Sequence, residues 1–592
     1  MARPSTRPSA PTRDEPAAEE RARAKRAKRA PRPHLRALEG EERLSADFGS
    51  LAGDLSLGAG PREPEWRVHD RTHLEFAVDY RARPAAATAE ASGPAERELE
   101  YEWDCYFFVP ESLRLHDQTY EKHEIYDDLQ SYVRLAVPAV PFETLADGPI
   151  ADVERALAAQ DPDVAVRELR FFACLVRASS GDARRRVLAL HRARATEPAA
   201  ATTQGGGGGD GGDAGGGGAR PMTPAPRGAG ASDALGDACR LLAREARRIG
   251  AAVRHAVDRI PADREELREA ARWVEEDVSR ALEALLASLA IDLREGGAPE
   301  ASTTALAAAA VDEAAARAAR GLDGVGRADA DAAAIEHLEF RRHVLKRFTS
   351  SVLWLRLEVR RGAGWVLQLL YAIAASAAMG FALVAAVLQD PGSLRFGSGN
   401  FWLGAGLVVL AYAVKDRIKA LLQSAFSRVV ERHFPDRRWR ILDEEREFEL
   451  GEVEERAAFL AMDEVPADVL ATRRDGRRFR FEEQARPERV LWHHKSVTVH
   501  ADDLAAADPR VGGLTEIFRL NLRRWLDHTD DPSRRIVFAD PADRQVYSAV
   551  APRVYNIGVV YRLRRAGEAD AAWHRARVVV TRKGIRRIDR IK

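Results

Sequence analysis

The chain has 592 residues, and its 91 basic and 91 acidic side chains give a formal net charge of zero. That balance excludes a global field that would draw nucleic acid or an acidic substrate, so only local charge carries information. The three cysteines, Cys105, Cys174 and Cys239, form no C-x-x-C pair. They are too sparse for a disulfide framework or a zinc site, and Cys105 and Cys174, in apolar surroundings, are expected as buried, inert thiols.

Residues 1–65, opening "MARPSTRPSAPTRDEPAAEERARAKRAKRAPRP", have no apolar h-region and read as a disordered tail, not a secretory signal. Residues 66–196 read as an N-terminal α+β unit. "THLEFAVDYRA" alternates, with Leu74, Phe76, Val78 and Tyr80 on one face. "ELEYEWDCYFFVP" does the same with Leu99, Tyr101, Trp103, Cys105 and Phe107. The two predict a β-hairpin whose long loop runs through Pro84 to Glu96. "DQTYEKHEIYDDLQSYVRLAVP" predicts one helix through Tyr120, Ile125, Leu129, Tyr132 and Val133, and 151–195 predicts further helix. Aromatic richness here fits core better than a ligand pocket.

Residues 197–232 hold "GGGGGDGGDAGGGG", a flexible linker; no Lys-Ser/Thr follows it and no strand precedes it, which argues against a phosphate-cradling loop. The Ala-, Arg- and Glu-rich stretch 233–362 predicts helices that pack within the chain, because no strict heptad persists. At its end "SSVLWLRLEVRR" alternates as a strand does, yet its place beside an apolar run favours helix.

That run, Ala363 to Leu388, is 26 residues with no ionisable side chain except Tyr371. As a helix it would rise about 39 Å, enough for a hydrocarbon core of roughly 30 Å. A second run, Phe401 to Val414, is 14 residues long, with a re-entrant or buried core helix as its alternative reading. Basic residues flank the pair, while the turn between them, 389–400, carries one Asp and one Arg. By the positive-inside rule the turn is expected outside and both long portions in the cytoplasm. Arg360, Arg361, Trp365, Trp402, Lys415, Arg417 and Lys419 are the expected membrane-interface residues. Residues 415–435 predict a basic juxtamembrane amphipathic helix. Ala372, Ser376 and Gly380, four apart, are the expected helix-packing face. Neither run contains Asp, Glu, Lys, Arg or His, which argues against a transporter or proton relay.

Residues 436–592 predict a C-terminal α+β domain. "RVLWHHKSVTVH" reads as a strand, "LTEIFRLNLRRWL" as a helix, and "RVYNIGVVYRLRR" with "AWHRARVVVTRKGIRRI" as a terminal strand pair. "HHKSVTVHADD" invites a metal, but strand alternation sends His493 and His494 to opposite faces and sets His500 about 20 Å from His494. "FADPADRQVYS" suits a turn, and no nucleophile-elbow, zincin or P-loop motif is present. Arg582, Lys583, Arg586, Arg587 and Arg590 form a basic end that suits lipid headgroups.

These readings add up to a multidomain membrane protein. A two-helix transmembrane hairpin is expected, with an N-terminal β-hairpin/helical portion and a C-terminal α+β domain, both cytoplasmic. The Arg-over-Lys and Ala/Gly bias points to a GC-rich bacterium, and the positive-inside rule then places both termini on the cytoplasmic side of its inner membrane. The expected role is a non-enzymatic scaffold or interaction protein whose partners are membrane lipid and another protein or a second copy. No nucleic acid, metal, cofactor or small-molecule substrate is implied. A membrane-tethered enzyme or ligand sensor is the alternative.

Overall fold

The computed structural model describes residues 65–82, 98–116, 119–159, 161–196, 229–322, 326, 330–360, 364–388, 401–474, 487–542, 544–567 and 571–591. The chain divides into Met1–Ala52 and Gly53–Lys592, and all the described residues belong to the second unit. The expected tail (bar Glu65), most of the linker, the 389–400 turn and Arg361 lie outside them.

The chain first forms β1 (Glu65–Val68), β2 (His73–Arg81) and β3 (Glu98–Pro110), then α1 (Lys122–Asp128) and β4 (Leu129–Leu135). Five helices follow: α2 (Gly148–Ala158), α3 (Pro162–Thr196), α4 (Ala229–Asp258), α5 (Glu265–Glu295) and α6 (Glu300–Ala319). Next come α7 (Ala332–Ser350), β5 (Arg356–Val359), α8 (Gly364–Leu388) and α9 (Phe401–His433). The last third holds β6 (Arg437–Asp443), β7 (Phe448–Leu460), α10 (Ala467–Arg474), β8 (Glu488–His500) and α11 (Ala501–Ala507). It continues through β9 (Gly513–Asn521), α12 (Arg523–Leu526), β10 (Ser533–Asp540) and β11 (Gln545–Pro552). It ends with β12 (Tyr555–Arg565), β13 (His574–Thr581) and β14 (Gly584–Ile591).

Two antiparallel sheets organise these elements. One has eight strands in the order β14-β13-β12-β3-β8-β7-β6-β5, and the other has four in the order β1-β2-β9-β4. β10 and β11 pair as a separate ribbon. The sheets meet through aromatic side chains. Phe76 stacks on Phe518 at 4.6 Å within the smaller sheet, and on Trp103 of the larger at 5.1 Å; Trp103 lies 5.5 Å from Tyr561. The expected apolar faces of β2 and β3 supply Phe76 and Trp103, while β9 and β12 supply Phe518 and Tyr561. β3 also buries Tyr106 and Phe108 on its far side, against Val469 of α10, Val490 and Val560. A strand covered on both faces explains the unbroken apolar run "CYFFV". The helices α3 to α6 join the main core through Phe172, Ile249, Leu282 and Leu306, so they pack intramolecularly.

This arrangement overturns the expected fold class. β3 lies between β12 and β8, and β9 lies between β2 and β4, so the N- and C-terminal portions are interleaved in one body. β2 and β3 sit in different sheets and form no hairpin. The two-helix transmembrane hairpin is not supported either. Among the described residues one helix, over Trp365–Val384, is long and apolar enough to cross a membrane. α9 is a single 33-residue helix that fuses the expected second span with the expected amphipathic helix. The rest of the molecule is sheet-rich, with its own core.

Three local expectations change for one reason: sheet partners outweigh local periodicity. "LTEIFRLN" is the strand β9, because residues 513–518 are covered on both faces. "LQSYVRL" leaves α1 to become β4, which pairs with β9. "RLEV" is β5, which pairs with β6 after a short 3-10 turn at Ser351–Leu353. The chain therefore leaves the large sheet before α8 and rejoins it, after α9, one strand away.

Candidate functional site

α8 presents an apolar surface with almost no cover. Trp365 is 72% exposed, Met379 64% and Leu383 64%, and Leu369, Ile373, Phe381 and Val384 are also open. Two of its described residues are buried, Ala374 and Ala378, and α9 is the helix lying against it. The small side chains buried on α8 are Ala374 and Ala378, four residues apart. Ala372, Ser376 and Gly380 are exposed, and a Cβ added at Gly380 would meet nothing within 4 Å. The first half of α9 is open in the same way, at Leu407, Val409, Leu410 and Tyr412, with Trp402 83% exposed.

Charge begins after this surface ends. The Lys415 ammonium sits 4.4 Å from the ring centre of Tyr412 and 3.5 Å from the Asp416 carboxylate, and Arg417 and Lys419 are exposed. Arg360 belongs to the body: it pairs with Glu452 of β7, and its backbone N–H donates to the Arg438 carbonyl at 2.8 Å. Trp365 opens the apolar surface and is not tucked against the sheet.

The other concentration of chemistry lies between the sheets. Lys495 of β8 is fully buried, and its ammonium donates to Glu455 of β7 at 2.7 Å and to Ser131 of β4 at 3.0 Å. It also donates to Glu516 of β9. Ser131 and Tyr80 donate to Glu516 in turn, Tyr80 at 2.7 Å. Burial opposes both charges. Even so, the two carboxylates raise the Lys495 ammonium above its ordinary value, and Lys495 holds Glu455 below its own. Every proton of the ammonium has an acceptor, so the cluster ties the sheets together and offers no open nucleophile or base. Lys495 is not among the site residues expected from the sequence. Its alternation with Val497 and Val499 was the signal that could have found it, as Leu514 and Phe518 could for Glu516.

The histidines flanking Lys495 separate as alternation requires. His493 is buried among the core aromatics, 6.1 Å from the Phe518 ring centre, with Nε2 unpartnered; burial pushes its pKa down to about 4. His494 faces the other way and meets Asp104 at 2.9 Å. His500 bonds the Glu449 carbonyl at 3.1 Å. Among the described residues no three His, Cys, Asp or Glu side chains gather as metal ligands. Cys105, Cys174 and Cys239 are buried as free thiols, and burial raises the pKa of each. No protein-family model, curated protein or solved structure matches this chain.

Proposed function

We propose that this protein is a non-enzymatic, membrane-associated interaction protein of the bacterial inner membrane. α8 makes the lipid contact, and the sheet-rich body stands in the cytoplasm to bind a protein partner or a second copy. The observation that carries this reading is the bare apolar surface of α8. Each Å² of such surface left in water forgoes about 25 cal/mol, and a bilayer removes that penalty along the whole helix. The change from Tyr412 to the exposed Arg417 and Lys419 fits a boundary between hydrocarbon and headgroups. The adjacency of β5 and β6 in one sheet is consistent with a body held on one side of that boundary.

The same adjacency supplies the test. Replacing residues 362–435 by a short Gly/Ser turn joins β5 directly to β6. The full chain is expected to sediment with membranes and the shortened chain to stay in the supernatant with a cooperative melt. A full chain that stays in the supernatant without detergent overturns the lipid contact. For the partner, crosslinking in native membranes is expected to give a dimer or a hetero-adduct; monomer alone overturns that part.

A further inference from the structure

The outer face of the four-stranded sheet carries a second concentration of charge, independent of α8. Arg67, Glu75, Asp79, Arg134 and Arg519 lie on it, and α3 and α7 bring Arg177, Arg342 and Lys346 to one end. The chain fixes this end tightly. Arg134 bridges to Trp354 just after α7, the Leu355 N–H donates to the Val133 carbonyl at 3.0 Å, and Cys174 of α3 donates to the Thr349 carbonyl at 3.4 Å.

The acids here are already engaged. Glu75 takes Arg67, Arg519 at 2.8 Å and His69 at 3.2 Å. Asp79 accepts from Thr515 at 2.8 Å. Asp277 accepts from Arg177 and, at 2.7 Å, from Thr349. Arg342 reaches Glu339 at 3.6 Å. Two cations are left over. Among the described residues neither Arg134 nor Lys346 has a carboxylate within ion-pair distance, and the Nε of Arg134 is buried without a hydrogen-bond partner. Burial, together with the guanidinium groups of Arg177, Arg342, Arg67 and Arg134, holds the Lys346 amine down to about 8. Both side chains keep partial solvent access, so a ligand can reach them.

Asp79 and Glu75 act on the desolvated Arg134 guanidinium only from beyond ion-pair distance, while Arg134 and Lys346 repel each other, so the pair is under-compensated and an oxyanion relieves it. The guanidinium fork matches two oxygens of a tetrahedral anion, and a lysine beside it adds a point charge. We propose that Arg134 and Lys346 form a binding site for a phosphate group, with Arg67, Arg177 and Arg342 surrounding it with positive charge. The group belongs to a soluble phosphorylated molecule or to a phosphomonoester lipid headgroup.

The test follows the melting temperature of the full-length protein in neutral detergent against sodium phosphate, with sodium chloride matched for ionic strength. A saturable rise is expected, with its midpoint at least tenfold higher in Arg134→Gln and in Lys346→Gln. Without phosphate, Lys346→Gln is expected to melt no lower than the parent, because the substitution removes repulsion; a lysine with a structural role would show the reverse. Repeating the titration with phosphatidic acid or phosphatidylcholine vesicles separates the two sources. Loss of the phosphate response with phosphatidic acid alone assigns the group to lipid, and an unchanged response assigns it to a soluble molecule. A rise no larger than that given by chloride, or the same rise in all three proteins, overturns the site. Membrane fractionation of these variants stays that of the parent whether or not phosphate binds.

Discussion

At Lys495 one ammonium faces two carboxylates, so the cluster is one positive charge against two negative ones in the core. Removing the cation and removing an acid are therefore unequal changes. Lys495→Met leaves Glu455 and Glu516 buried without their cation, although Tyr80 and Ser131 still donate to Glu516, and is expected to cost roughly 3–5 kcal/mol. Glu455→Gln keeps the Lys495–Glu516 pair and is expected to cost about 1–3 kcal/mol. Urea unfolding of the two variants checks the order; a larger loss for Glu455→Gln would remove Lys495 from the centre of the network. His493 makes this interior sensitive to acid. Its folded pKa, about 4, lies below the ordinary 6.5, so the unfolded chain takes up the proton first. Stability from this group is present above pH 6.5 and is lost as pH falls towards 4. At 1.36 kcal/mol per unit the loss amounts to about 3 kcal/mol. Glu75 follows at lower pH: despite its burial, His69, Arg67 and Arg519 hold it down to about 2, so its contribution is lost between pH 4.5 and 2. Urea midpoints from pH 7 to 4 are expected to fall less steeply in His493→Gln than in the parent. Equal slopes would show that the acid sensitivity comes from elsewhere.

Elements with one-sided alternation were legible in the sequence, and elements whose context decides them were not. β2 was readable because Leu74, Phe76, Val78 and Tyr80 all point inward. β9 was not, because residues 513–518 are covered on both faces and its apolar residues fall by chance at helical spacing. In α8 the apolar composition was plain, but which small residues touch a neighbour depends on helix rotation. That choice fell on Ala374 and Ala378. The β10–β11 ribbon poses the opposite case. Its eight paired positions lie in register from Ser533 to Asp540, yet Val537, Val546 and Val550 are exposed, and neither strand joins another sheet. A lone two-stranded ribbon is marginal in water. Amide exchange is expected to be fast across 533–552 and orders of magnitude slower across 490–499, where β8 is paired on both sides. Slow exchange in the ribbon of isolated monomer would show that it is more stable than its contacts imply.

At the scale of the whole molecule the decisive contacts join residues several hundred positions apart, and periodicity cannot report them. Phe107 faces Val559 on one side and Leu491 on the other, and Phe76 pairs with Phe518. Residues 436–592 thus look self-sufficient in sequence but are missing the strands that complete both sheets. Without β3, β12 and β8 each present a bare edge; without β2 and β4, so does β9 on both sides. Such edges favour misassociation over folding. Residues 436–592 expressed alone are expected to aggregate or to lack a cooperative melt. A break in the glycine run tests the converse, since a Gly-rich stretch there is compositionally suited to being cut. Two pieces separated between Gly211 and Gly212 are expected to co-purify when expressed together and to melt as one unit, because β1 to β4 insert into sheets made by the second piece. A dispersed, cooperatively melting spectrum from 436–592 alone would mean that the interleaved strands decorate a pre-formed domain. Failure of the two pieces to associate would mean that their pairing requires a continuous chain.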